Sequence, residues 1–387
     1  MITVKSSVNK LSQATQKPLR VLIVTGIYPT KDRPHKGTFV KSQVDSLVAA
    51  SVEVEIIHPK PGPVLLRYLW TIAQIWQKTR TKQFDIINGH YGQWCLFARL
   101  QWHTPVVATF LGSDLLGVPL DYGRSSKLHG LNAYISRWLC GHVDAAVVQS
   151  EEMKRVTRRG NVFIVPNGVD FELFRPIPRA EARAALGWDQ DRYYVLFGNN
   201  PAIPLKGFKL GQEAVERLQA KGIPVELVVA NGLPQTKVVQ YINASNALIL
   251  PSICEGSPSI VKETMACNIP VVATDVGDVT ELIGQTQGCS ICSHDPDDFA
   301  AGIERALQHS GPTTGRSDIS HMECSVVAQQ VIDVYEFVLK KHSTINQVKY
   351  TGSTEGIRQG QGTILVQGTR SAQDTTLTRE EVSDEEA

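Results

Sequence analysis

The sequence predicts an α/β protein of two doubly wound halves, and three observations carry that prediction. Short, apolar, β-branched runs recur with helical stretches between most of them, the alternation of a parallel sheet covered on both faces. The series is interrupted by a proline-bearing join, 176–191, and then starts again. The chain's 387 residues suffice for two domains of ordinary size.

Taken in order, a polar leader, 1–18, precedes the run 19–25, which reads as a buried parallel strand. Residues 26–37 form a loop into a helix whose apolar positions are Phe39, Val40, Val44, Leu47 and Val48. Strands are expected at 52–57, 85–88, 105–109, 145–148 and 162–165, which makes 19–175 the first domain. The second, 192–325, opens with strand 193–197 and helix 210–219, then continues with strands 224–230, 247–250 and 270–274. Apolar residues at helical intervals mark a terminal helix, 326–342. Beyond it, 343–387 is rich in Thr, Gly, Gln and Ser and ends in an acidic run. That stretch has too little apolar surface to fold and is expected to be disordered.

Hydrophobic content of 42% and charged content of 20% are those of a soluble globular protein. A formal net charge of +1 gives no global pull toward nucleic acid, and no nucleic-acid partner is expected. Residues 1–20 contain no apolar core of signal-peptide type, and no apolar run approaches the ~20 residues of a spanning helix. A cytoplasmic protein is expected. Seven scattered cysteines, an odd number, read as reduced thiols. Cys289 and Cys292 have metal or redox spacing, but without a second pair nearby they read as small residues beside a strand. No metal and no cofactor is implied. A dehydrogenase is disfavoured, since no G-x-G-x-x-G follows the first strand of either half.

The most informative segment runs from Glu255 to Glu263, two glutamates bracketing a loop that turns into a helix. Ser257 is placed to cap that helix, and Pro258 suits its first position, where a missing N–H leaves nothing unsatisfied. The first-turn amides then favour a negative group. Ser259 and Glu263 share one helix face, about 6 Å apart along the axis. A ligand with anionic and hydroxyl-rich parts fits this spacing; so does an ordinary strand–loop–helix joint with surface acids.

The whole run from Leu250 to Glu263 resembles the signature of the family 4 retaining glycosyltransferases, and the resemblance covers most of 19–342. It implies the GT-B fold, two Rossmann-like domains facing a central cleft. It also implies that Glu255 contacts the transferred sugar, that Gly256, Ser257, Ser259 and Ile260 hold sugar and diphosphate, and that Glu263 binds the ribose. Lys206-Gly207 matches a family pair whose lysine neutralises the diphosphate. Asn199 stands in the same loop, which lacks the arginine many members carry, and Gly37 matches a glycine close to the donor phosphates. In 108–114 the family's histidine is replaced by Leu111, so that role does not carry over. His90 and Asp114 remain as cleft-lining catalytic candidates. Asn167-Gly168 matches a turn near the interdomain join.

The function implied is retaining transfer of a sugar from a nucleotide-diphosphate donor to a glycan or lipid-linked acceptor, in cell-surface polysaccharide synthesis. Two other classes stay open, a binding protein that has lost catalysis and a GT-B sugar-nucleotide epimerase. Residues 64–82 alternate Leu65, Leu66, Leu69, Trp70, Ile72, Ala73 and Trp76 with Arg67, Lys78, Arg80 and Lys82. This is either a core helix with a solvated face or a peripheral contact with the inner face of a membrane.

Overall fold

The computed structural model describes residues 17–358 apart from 60, 82, 118–124, 158 and 159. The first half is a six-stranded, wholly parallel sheet. Its strands are β1 (Arg20–Thr25), β2 (Glu53–Ile57), β3 (Ile86–His90), β4 (Val106–Thr109), β5 (Ala145–Val148) and β6 (Val162–Ile164), in the order β2-β1-β3-β4-β5-β6. The second half is a five-stranded parallel sheet of β7 (Tyr193–Phe197), β8 (Val225–Val229), β9 (Ala247–Leu250), β10 (Val271–Thr274) and β11 (Ser290–Cys292). Its order is β11-β10-β9-β7-β8, so the winding reverses between β7 and β9. Crevices at such reversals, beyond the carboxyl ends of the strands, are where open α/β sheets hold ligands.

Strands β4, β5, β7, β9 and β10 are near-continuous apolar runs because both faces of their sheets are covered, whereas the edge strands β2 and β8 carry Glu53, Glu55 and Glu226. In the first sheet, Leu22, Val24, Ile87 and Ala108 pack with Ile75, Trp94 and Leu139 from the helices Val64–Thr81, Gly92–Arg99 and Ser125–Leu139. Val21, Ile23, Val107 and Val147 face the other way, onto Val44 and Leu47 of the helix Thr38–Ala49. Val327, Val331, Val334 and Val338 join the same cluster, so the helix Cys324–Arg358 returns from the second half to lie on the first sheet. In the second sheet, Leu196, Leu248 and Val271 pack with Val261 and Met265, while Val195, Ile249 and Val272 pack with Leu218, Phe299 and Ile303.

Three local readings change. The join contains a helix, Arg179–Leu186, because its alanine-rich run has high helix propensity despite Pro176 and Pro178 just before it. Buried Arg183 fixes it to the second half by donating to the Ala244 carbonyl and to Asn246 Oδ1. The terminal helix runs on to Arg358, as an established helix extends into residues that would not nucleate one. The rest of the tail, 359–387, and nearly all of the leader lie outside the described residues. Finally, the apolar side of the helix Val64–Thr81 is not in the core: only Thr71 and Ile75 are buried, while Leu65, Leu66, Leu69 and Trp70 are exposed.

Candidate active site

A cavity of about 420 Å³ opens at the β7/β9 reversal. Three loops of the second half wall it, each leaving the carboxyl end of a strand. The β7 loop contributes Gly198, Asn199, Asn200, Ile203 and Lys206, the β8 loop Asn231, Gly232 and Leu233, and the β9 loop Glu255 and Ser257. Ser259, Ile260 and Glu263 come from the helix Ser259–Ala266. The first half closes the opposite side with His35, Thr38, Phe39, Leu111 and Asn167.

Glycines set the loop paths. A Cβ on Gly198 would stand 2.6 Å from Ile260 Cγ1, so only hydrogen lets the β7 loop pass over the helix start. Gly207 adopts φ 67°, and a Cβ there would lie 1.8 Å from the Pro251 carbonyl oxygen. This locks Lys206, at the end of a short 3₁₀ turn, against the β9 loop. Gly256 faces Gly112 across the two halves, where a Cβ on either would come within 3.1 Å of the other's Cα. Gly37 itself turns the chain at φ 72° into the helix Thr38–Ala49, and its neighbours Thr38 and Phe39 reach the cavity.

The electrostatics concentrate on two glutamates. Lys206 Nζ donates to both carboxylate oxygens of Glu255, at 2.7 and 2.9 Å, and Ser252 Oγ donates to Glu255 Oε1 at 2.8 Å. The cation expected at the diphosphate is therefore already paired with the acid expected at the sugar. Glu263 is half-buried, and burial pushes its carboxyl up to about 7, with the Gln235 side chain and the Lys262 ammonium working against that rise.

His90 and Asp114 do not line this cavity. His90 is fully buried, neither ring nitrogen has a partner among the described residues, and burial drives its pKa down to about 4. Asp114 is buried as well: its Oδ1 accepts from the Leu111 and Gly112 amides and its Oδ2 from Gly92 N–H, which shapes the loop after β4. Burial raises it to about 6, against those amides. His90 ends β3 and Asp114 lies in the short helix Ser113–Leu116 that follows β4, places that resemble a cleft rim, but both side chains are buried. Ser257 differs too. It makes no cap; its hydroxyl donates to Asp278 Oδ2 and accepts from Lys262 Nζ at 2.9 Å, while Pro258 occupies the cap position.

Two models of one family tile the chain. Glycosyltransferase Family 4 matches 7–173, and Glycosyl transferases group 1 matches 179–317. The chain belongs to the family 4 glycosyltransferases. A protein of Bacillus subtilis (strain 168) assigned as the teichuronic acid biosynthesis glycosyltransferase TuaC is 23% identical over 353 residues, covering 74% of this chain and 89% of its own length. Sucrose-phosphate synthase from Thermosynechococcus elongatus matches in fold with a TM-score of 0.67 at 16% identity, over 84% of this chain and 100% of that one. HepE of Anabaena, solved in complex with UDP, matches with a TM-score of 0.59 at 14% identity, over 82% and 100%.

Several residues of the candidate site were not legible in the motif. Gln235 and the β8 loop could have been found from their place after a strand at the winding reversal. Lys262 and Asp278 could not, because a charged residue on a helix or loop reads as solvated. Here Lys262 is fully buried and donates to Ser257 Oγ and to the Asn167 carbonyl, both at 2.9 Å.

Proposed function

We propose that this glycosyltransferase moves a sugar from a nucleoside diphosphate donor to a hydroxyl of a glycan or lipid-linked acceptor, with retention, in making a cell-surface polysaccharide. The observation that carries the donor part is the cavity at the β7/β9 reversal, with Lys206, Glu255, Glu263 and a helix start converging on it. In this reading Glu263 accepts from the ribose hydroxyls, and the diphosphate lies between Lys206 and the first amides of the helix Ser259–Ala266. Glu255 accepts from hydroxyls of the transferred sugar. The bond from sugar C1 to the phosphate oxygen breaks as the acceptor oxygen bonds C1 on the same face, and the acceptor proton passes to the leaving phosphate. Asp114 holds the loop carrying Leu111 and touches no reacting atom. The UDP of the HepE complex makes a uracil nucleotide the first donor to try. Glycan synthesis accords with the assignment of TuaC. The reading extends to a peripheral position at the inner face of a membrane through 64–82.

Calorimetry and turnover with a panel of nucleotide-sugars test this. Glu255→Gln should lower turnover and leave UDP affinity nearly intact. Lys206→Ala should weaken UDP by about 1.5–3 kcal/mol, because it removes a cation and leaves the Glu255 carboxylate facing the diphosphate. Combining Lys206→Ala with Glu255→Gln should recover part of that loss. A double variant that loses the sum of the single effects would show that the pair does not act at the diphosphate.

A further inference from the structure

Three helices cover one face of the first sheet: Val64–Thr81, Gly92–Arg99 and Ser125–Leu139. Their buried sides share one cluster with β1, β3, β4 and β5. Their outward sides, with the turn after Gly92–Arg99, hold most of the exposed large apolar side chains among the described residues. Leu65 is 68% exposed, Trp102 74% and Tyr134 71%, and Leu66, Leu69, Trp70, Leu131 and Trp138 are exposed beside them. Such a concentration is unusual for a surface that meets only water.

The charge on this face is one-sided. Helices of 18, 8 and 15 residues contain no Asp or Glu, in a chain that has 38 acids. They do carry Arg67, Arg80, Arg99 and Arg137, and among the described residues none of these has an ion-pair partner. Arg80 lies 4.8 Å over the Trp76 ring, and Trp76 meets Trp102 edge-on. Arg99 and Arg137 donate to the carbonyls of His142 and Leu115, bonds that leave their charge uncompensated. Lys78, by contrast, is paired with Glu55.

We infer that this three-helix face docks on an anionic lipid bilayer. The inference deepens the membrane part of the proposed function, extending it from one helix to a whole face, and is independent of the sugar chemistry. Leucines would enter the acyl boundary, the Trp and Tyr rings would sit at headgroup depth, and the arginines would meet lipid phosphates. A second copy is the poorer occupant. Three helices that carry cations and no acids complement themselves poorly across a two-fold axis, which would set arginine against arginine.

The test is co-sedimentation of the full chain with phosphatidylcholine vesicles and with the same vesicles enriched in phosphatidylglycerol. Binding should be selective for the anionic vesicles and weaken as salt is raised. Leu66→Glu combined with Trp70→Glu should lower partitioning about tenfold or more, since two exposed apolar side chains lose their contact with lipid. UDP affinity and the thermal melt should be unchanged, as both positions are exposed and neither lines the cavity. Val48→Glu, which adds a charge at an exposed apolar site on another helix, should bind vesicles like the wild type. The inference is overturned by equal binding to both vesicles, by a double variant that binds normally, or by Val48→Glu causing the same loss. It is also overturned if the wild type is a dimer in ultracentrifugation and the double variant a monomer.

Discussion

At the scale of single residues, Glu263 links the site to pH. Its carboxyl lies at about 7 in the folded chain against an ordinary 4.5, so the native state binds the extra proton. Between those values the folded state holds more protons than the unfolded one, and stability therefore falls as pH rises, with the full cost present above 7. Part of the side chain faces the cavity, and the cost is discounted for that solvent to about 1–2 kcal/mol. Glu263→Gln should remove this slope and be the more stable protein above pH 7, while differing little below 4.5. Nucleotide binding should run the other way. Ribose hydroxyls donate to a carboxylate better than to a neutral acid, so UDP should bind wild type more tightly above pH 7 and show less pH dependence in the variant. Chemical denaturation and calorimetry across that range check both halves. A nucleotide affinity with the same pH profile in both proteins would remove Glu263 from the ribose.

At the scale of elements, the β7 loop depends on one backbone position. Gly207 combines a left-handed φ of 67° with a virtual Cβ 1.8 Å from the Pro251 oxygen, whereas Gly187, at φ 70°, has nothing within 4 Å. Gly187→Ala should therefore cost only about 1–2 kcal/mol of backbone strain, and Gly207→Ala should cost clearly more and weaken UDP as well. Equal losses in denaturant midpoint would mean that the clash with the β9 loop is relieved without consequence. The elements themselves were largely legible: apolar, β-branched runs gave β1 to β10 to within two residues at each end, because strands buried on both faces leave that signature. The short strand β11 was missed, since Ser290–Cys292 lacks such a run. The helix Val64–Thr81 was ambiguous for a physical reason, as an amphipathic pattern reports that a helix has two sides and not which side faces the core. Ser257 was misread because its hydroxyl prefers a charge-assisted bond to buried Asp278 over a neutral amide. The motif carried Glu255 and Glu263 to the cavity; His90 and Asp114, read from position at a strand end, lacked any sequence signal for side-chain direction.

At the scale of the whole molecule, the chain crosses between its halves at one place, and the β9 loop is tied to that crossing. Val169 N–H donates to the Met322 carbonyl and Cys324 N–H to the Val169 carbonyl, so the outgoing and returning segments are bonded side by side. Arg316 adds bonds to the Phe171 and Phe174 carbonyls, with its guanidinium 4.3 Å over the Phe171 ring. Lys262 completes the link by joining the Asn167 carbonyl to Ser257 in the β9 loop. Burial pulls the Lys262 pKa down and pushes Asp278 up, the desolvation cost of each charge, and each group's charge works against the other's shift. Lys262→Met should lower stability by about 1–3 kcal/mol, because Asp278 stays buried without its countercharge, and adding Asp278→Asn should restore part of it. Stability alone does not separate bracing from coupling; hydrogen exchange does. If Lys262 transmits order between the β9 loop and the crossing, UDP should slow amide exchange at 167–169 in the wild type and not in Lys262→Met, at nucleotide concentrations that saturate each. Equal slowing in both proteins would mean that the crossing senses the nucleotide through other contacts, and that Lys262 braces the β9 loop without coupling it to the join.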